Sequence, residues 1–242
     1  MLWLVLPTYD EAENLEAFVT AVRERLPTER RILVVDDNSP DGTGRIADRL
    51  AAAHDDIAVL HRERKEGLGP AYLAGFREAL LRGAERVVQM DVDFSHDPVD
   101  VPRLLAAIAD GADLAVGSRY AEGGGVADWG PLRRAISRGG SAYARIVLGI
   151  GVRDLTGGFK CWRRRALEAI DLDAVGSRGY AFQVEMTYRA IKAGMKVVEV
   201  PITFTERRAG SSKMSGPIVL EAMWRVPVVR WRVREEQRRL TG

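Results

Sequence analysis

Cysteine occurs once in the 242 residues, at position 161. Cys161 can form no intramolecular bridge, so the fold rests on no disulfide framework and a reducing compartment is expected. The three histidines, His54, His61 and His96, are too scattered for a zinc site, and His96 is expected on a surface turn. No stretch reaches the roughly 18–20 uninterrupted apolar residues of a transmembrane helix. The first apolar run, Leu2 to Leu6, is too short for a signal peptide and lacks its basic start, so a cytoplasmic protein is expected. Neither a Walker-type Gly-x-x-x-x-Gly-Lys-Ser/Thr nor a Gly-x-Gly-x-x-Gly after the first strand is present, which favours a nucleotide held through metal and acids. Helix-turn-helix, zinc-finger and aromatic stacking patterns are missing too, so nucleic-acid binding has no support.

What remains is an ordinary globular balance, 46% hydrophobic and 29% charged, in a chain long enough for one large α/β domain. The net charge of +2 conceals an asymmetry. Residues 1–100 carry 12 Lys+Arg against 20 Asp+Glu, and residues 101–242 carry 24 against 14. Only Lys65, Lys160, Lys192, Lys196 and Lys213 are lysines; the rest of the basic excess is arginine. Either the composition is simply arginine-biased, or an acidic half holds a cation while a basic half faces an anionic partner.

Apolar runs at Leu2–Leu6, Ile32–Val35, Ile57–Leu60, Arg86–Met90 and Ala112–Val116 read as strands. Between them lie helical patterns: Leu15 to Leu26, Gly42–Ala53, Leu68 to Leu81, and one opened by Asp97-Pro98 as cap and first-turn proline. Strands apolar on both faces and separated by helices imply a mostly parallel sheet flanked by helices, with ligands beyond the strands' carboxyl ends. Past residue 120, helices are expected over Pro131–Leu148 and Phe182–Ala193, a strand at Val197–Val200, and a helical tail from Pro217 kinked at Pro227.

The unusual residues gather at those carboxyl ends. The first strand ends in Pro7-Thr8-Tyr9-Asp10-Glu11 and the second in Asp36-Asp37-Asn38-Ser39-Pro40-Asp41-Gly42. Taken singly, such acids are best read as helix caps and turn formers. The fourth strand runs into Asp91-Val92-Asp93, where extended chain would send both carboxylates to one side. Their mutual repulsion is relieved by a hard divalent cation, Mg²⁺ or Mn²⁺, shared with diphosphate oxygens.

These motifs resemble the donor-binding motifs of family 2 glycosyltransferases, more narrowly of the dolichyl- or polyprenyl-phosphate mannose synthases. Gly117-Ser118-Arg119-Tyr120, Asp154-Leu155-Thr156-Gly157-Gly158-Phe159-Lys160, Gly179-Tyr180-Ala181-Phe182-Gln183-Val184-Glu185 and the basic stretch from Arg207 to Lys213 agree, so that the likeness spans roughly residues 2–216. The resemblance implies a GT-A-like domain over 1–216, with a donor half to about 120 and an acceptor half beyond it. It implies that Pro7, Tyr9, Glu11, Val35 and Asp37 hold the guanosine of GDP-mannose. Asp91, Val92 and Asp93 would meet metal and diphosphate with Ser95 nearby, and Arg119, Arg207 and Lys213 would contact phosphates. The implied reaction is inverting transfer of mannose to a polyprenyl phosphate. Transfer from UDP-glucose, transfer to a sugar hydroxyl, and a silent nucleotide-sugar-binding subunit are the alternatives.

A phosphate monoester is already anionic at pH 7 and needs cations rather than a general base. Pro131–Leu148 supplies Arg134, Arg138 and Arg145 near one face, with Arg133 and Ser137 close by; a solvated basic face is the plainer reading. Gly139 and Gly140 weaken this helix, which is expected to order when acceptor binds. Glu185 is a candidate base for a hydroxyl acceptor. Finally, the 217–242 helix mixes Trp224, Trp231 and aliphatics with six arginines from Arg225 to Arg239. That suits either an interfacial helix on the cytoplasmic face of a membrane or a terminal helix packed on the sheet with arginines outward. A membrane-protein partner stays open.

Overall fold

Strand β1 (Leu2–Thr8) is buried along its whole length, as a central strand should be. The structure, a computed structural model, describes residues 1–127, 129–177, 179–206 and 216–241, without the side chains at 180, 216–223, 240 and 241. After β1 come α1 (Leu15–Arg25), β2 (Arg30–Asp36), α2 (Thr43–Ala53), β3 (Ile57–His61), α3 (Leu68–Leu81) and β4 (Arg86–Gln89). A 3-10 turn at Pro98–Asp100 leads into α4 (Val101–Ala109) and β5 (Leu114–Ser118). The remainder comprises β6 (Gly125–Val126), α5 (Pro131–Leu148), β7 (Lys160–Arg163), α6 (Arg164–Glu168), α7 (Gly179–Lys192), β8 (Val197–Pro201), β9 (Thr203–Phe204) and α8 (Gly216–Thr241).

Seven strands form one sheet in the order β3-β2-β1-β4-β7-β5-β8, and β6 pairs with β9 alongside. Every neighbour in the large sheet is parallel except β7, which runs antiparallel to both β4 and β5. The expected α/β sheet is therefore present, with one reversed strand that the apolar pattern did not disclose.

The two-residue alternation of strands sorts the core into two layers. Leu2, Leu4 and Leu6 face a layer built with Leu15, Phe18 and Val22 of α1 and with Leu104 and Ile108 of α4. Trp3 and Val5 face the opposite layer, with Tyr72 and Phe76 of α3 and Phe182 and Met186 of α7. Helix α3 lies so close to the sheet that a Cβ on Gly75 would come 2.3 Å from Val5 Cγ1. Only glycine fits there.

A third cluster sits off the sheet. Val226, Val229 and Val233 of α8 pack against Ala144 and Leu148 of α5 and Val184 and Tyr188 of α7. Polar contacts fasten the same joint, Arg189 Nη1 donating to Glu236 Oε2 at 2.6 Å and Gln237 Nε2 to the Lys192 carbonyl at 2.8 Å. The terminal helix thus packs on helices rather than on the sheet, and Trp224 and Trp231 remain exposed. Helix α8 continues through Pro227 as one element. Among the described residues, no helix is long and apolar enough to cross a membrane.

Candidate active site

Among the described residues, three non-glycine residues take left-handed backbone, and each follows a strand end carrying acids: Asp10 (φ 58°), Asn38 (φ 61°) and Phe94 (φ 60°). Asp and Asn tolerate that region, whereas for a bulky Phe it is a genuine outlier. The chain is thus turned sharply at β1, β2 and just beyond β4, on one edge of the sheet.

Residue register brings the expected nucleotide-binding residues side by side. Pro7 lies opposite Val35 and Thr8 opposite Asp36, with Tyr9 and Asp37 following directly. The Asp37 carboxylate accepts from Arg62 and from the N–H groups of Glu66 (3.1 Å) and Gly67 (2.7 Å). It therefore anchors the loop between β3 and α3. The same loop sends Lys65 Nζ to 3.4 Å over the Tyr9 ring. Asp36 receives the Ser39 hydroxyl, while Asp41 receives Thr43 N and Oγ1 and, through its other oxygen, Ala12 N. Glu11 takes Asn14 Nδ2 on its carboxylate and gives its N–H to Thr43 Oγ1. Capping and turn formation, the plain reading of these acids, accounts for Asp36 and Asp41.

Strand β4 stops at Gln89, and Asp91 and Asp93 sit in the bend that follows rather than in extended chain. Helix α3 holds the first of them. Tyr72 donates its phenol to Asp91 Oδ1 at 2.8 Å. Burial and the charges of Asp91 and then Asp93 push the Tyr72 phenol well above its usual value, keeping it a donor. Asp93 Oδ1 accepts both Ser95 N (2.9 Å) and Ser95 Oγ (2.6 Å), and Val92 between the acids is buried in the core. Any contact of Val92 with a donor is then through its backbone. Two carboxylates and a hydroxyl are an all-oxygen set suited to a hard divalent ion. Among the described residues no group of three His, Cys, Asp or Glu could hold an ion unaided, so ligand oxygens would have to complete the shell. The residues fit a metal shared with a diphosphate.

Arg119 follows β5 and forks onto buried Asp154, Nε to Oδ2 and Nη2 to Oδ1, both at 2.7 Å. Nη2 also reaches Thr156 Oγ1 at 2.8 Å. Burial raises the Asp154 carboxyl, but Arg119 beside it and the N–H groups of Arg119 and Gly157 outweigh that and hold it below the ordinary range. The guanidinium is enclosed by the rings of Tyr120, Trp129 and Phe204 at 5.2–5.7 Å.

The same rings gather the cations of α5. Arg133 lies 4.2 Å over Trp129 and pairs with Glu206, Arg138 lies 5.7 Å from the Tyr120 ring, and Tyr120 donates to Ser137 Oγ at 2.6 Å. Arg134 instead reaches the Val126 carbonyl. Arg119, Arg133, Ser137 and Arg138 are therefore brought together around these rings, while the Val126 bonded by Arg134 pairs with Phe204. Arg207 and Lys213 lie outside the described residues.

Two readings of the residues change. Glu185 is fully buried, accepts Ser177 N (3.0 Å) and Arg189 Nε (2.9 Å), and faces the joint with α8. A carboxylate so paired does not serve as base for an acceptor. His96, expected on a surface turn, is buried against Phe159 and Phe204. Sequence reasoning also missed Tyr72 and gave Asp154 no role of its own; their partners come from other elements, beyond the reach of local spacing. Lys160, fully buried, is pushed down to about 7 by desolvation with Asp154 pulling the other way. The neighbouring Cys161 thiol is pushed up to about 12 by burial and is inert.

Residues 3–171 match the family model for glycosyl transferase family 2. The chain belongs to that family. This family 2 glycosyltransferase is 51% identical over 240 residues to polyprenol monophosphomannose synthase of Mycolicibacterium smegmatis, covering 99% of this chain and 89% of that one. It is 51% identical over 227 residues to undecaprenyl-phosphate mannosyltransferase of Micrococcus luteus, covering 94% and 92%. Glucosyl-3-phosphoglycerate synthase of Mycobacterium tuberculosis, solved with phosphoglyceric acid, superposes with a TM-score of 0.68 at 18% identity over 95% of this chain and 79% of its own. The same enzyme has been solved with Mn²⁺, UDP and glucosyl-3-phosphoglycerate, with a TM-score of 0.65 at 19% identity over 96% and 78%. These likenesses establish the GT-A fold of the family 2 glycosyltransferase described here.

Proposed function

We propose that this glycosyltransferase moves mannose from GDP-mannose to the phosphate of a polyprenyl monophosphate, with inversion at the anomeric carbon. The observation that carries the reading is two unlike groups linked through Phe204: an acid-bearing stretch after β4, whose His96 packs on that ring, suited to a metal-bound diphosphate, and cations about Arg119, which lies on the same ring, suited to a second phosphate. The relatives in Mycolicibacterium smegmatis and Micrococcus luteus, by their names, act in the same chemistry. Pro7, Tyr9, Glu11, Val35 and Asp37 hold the nucleoside.

Asp91 and Asp93, with Ser95 beside them, would hold Mg²⁺ or Mn²⁺, which when bound supplies positive charge against the departing diphosphate. Arg119, Arg133, Ser137, Arg138, Arg207 and Lys213 orient the donor and acceptor phosphates. An acceptor phosphate oxygen forms the new bond to the anomeric carbon, and the bond to the diphosphate breaks with its electron pair going to the nucleoside diphosphate. Deprotonation is not required, in keeping with Glu185 being committed to Arg189.

The lipid tail of such an acceptor stays in a bilayer, and the exposed Leu132 and Ile146 of α5 with Trp224 and Trp231 of α8 suit peripheral attachment there. The test is transfer of radiolabelled mannose from GDP-mannose to a short-chain polyprenyl phosphate with Mg²⁺ or Mn²⁺, beside Asp93→Ala. Label in the organic phase, lost in the variant, is expected. Transfer only from UDP-glucose would overturn the mannose assignment, and binding without transfer from any donor would point to a silent subunit.

A further inference from the structure

Gln183 on α7 is 2% exposed, and its neighbours decide which way its amide faces. Trp162 Nε1, a donor only, gives its proton to Gln89 Oε1 at 3.0 Å. That turns the Gln89 NH₂ group toward Gln183, whose Oε1 it meets at 2.7 Å. Lys160 Nζ reaches the same Oε1 at 2.8 Å and the Gln183 carbonyl at 2.9 Å. With two donors fixed on the oxygen, Gln183 Nε2 must face the other way. There it is buried and meets no acceptor among the described residues. A buried donor left so loses its bonds to water without replacement, and such exceptions call for an explanation.

Nε2 is aimed at Gly158. A Cβ built on that glycine would lie 3.5 Å from Gln183 Nε2 and 3.5 Å from Asp91 Oδ2, with nothing nearer. The absent side chain therefore leaves a gap about the size of one methyl group, with an amide donor on one wall and a carboxylate acceptor on the other. The group that accepts from an amide while donating to a carboxylate is a hydroxyl.

We propose that the gap over Gly158 is the subsite for one hydroxyl of the transferred sugar, which accepts from Gln183 Nε2 and donates to Asp91. The proposal rests on the reading that the chain binds a nucleotide sugar. The Gln89–Trp162–Lys160 network is then the device that keeps the amide turned toward the donor, and Gly158 is required for the room it leaves. Sugar preference follows from which hydroxyl reaches the gap, because a site built to bond a hydroxyl discriminates strongly against an analogue that lacks it.

The test is calorimetric binding of GDP, GDP-mannose and its monodeoxy analogues to the full chain, to Gly158→Ala and to Gln183→Leu. The Gly158→Ala methyl meets its neighbours at ordinary contact distance, so that variant folds even if Gln183→Leu does not. GDP affinity is expected to be unchanged in Gly158→Ala, and GDP-mannose affinity to fall about tenfold. For one deoxy analogue the variant and the parent should bind alike. Equal weakening of GDP and GDP-mannose, no weakening, or a penalty that persists for every analogue overturns the proposal; a gap that merely holds water gives the last two results. If the parent chain binds UDP-glucose instead, the mannose reading falls and the same comparison with UDP, UDP-glucose and its deoxy analogues decides the subsite.

Discussion

Asp36, Asp37, Asp41 and Asp93 each accept backbone N–H groups of their own or a neighbouring loop, whereas Arg133 and Arg138 on α5 lie against aromatic rings. The acids are positioned by the fold's own hydrogen bonds. The α5 arginines are held by long side chains leaning on Trp129 and Tyr120, and can turn toward a phosphate with little disturbance to the core. Arg119 is the exception on the cationic side. Its fork onto Asp154 makes it as fixed as any of the acids.

The largest effect that would sharpen this contrast comes from Asp154. Replacing it by Ala removes the buried carboxylate on which Arg119 forks, and a loss of about 3–5 kcal/mol in chemical denaturation is expected. Next, the double variant Arg133→Ala/Arg138→Ala should raise the apparent KM for acceptor about tenfold or more while leaving donor KM and the thermal midpoint nearly unchanged. A large fall in the midpoint would erase the distinction between the two sides.

Lys160 supplies a pH test of the fixed region. Its value falls from 10.5 in the open chain to about 7 in the fold. Between those values the unfolded chain holds a proton the folded one has released, so this group makes stability rise with pH. The contribution is up to about 1.4 kcal/mol per pH unit, and the full penalty stands below pH 7. Denaturation of Lys160→Met across pH 7 to 10 should show that slope removed. The smallest effect belongs to α5. Gly139 and Gly140 have open space where a Cβ would go, so alanine at either should stabilise by roughly 1 kcal/mol. If acceptor affinity rises with it, the helix orders on binding; unchanged affinity means it is ordered beforehand.

The first five strands and first four helices were legible because their apolar residues recur at regular spacing over lengths that decide between strand and helix. Strand β7 was not, since Lys160-Cys161-Trp162-Arg163 is only four residues long and half of them are charged. Its burial of Lys160 depends on Gln183, 23 residues away. The Asp91/Asp93 pair was singled out on the expectation of extended chain, whereas β4 ends at Gln89. Past that end Tyr72 holds Asp91 and Ser95 holds Asp93. Glu185 was misread because a buried carboxylate and a catalytic one look alike until the partner, Arg189 one turn on, is seen to close on it.

The reversed strand β7 also governs the order in which the chain can be completed. Among the described residues, β5 joins the β1–β4 portion of the sheet only through residues 160–163. While the polypeptide is being synthesised, the outer edge of β4 waits unpaired for some seventy residues of translation. The stretches before and beyond residue 120 are therefore joined in one sheet and are not units that fold separately. A chain cut near residue 120 would carry the acid loops on a sheet with an open margin, exposed to pairing with another nascent copy.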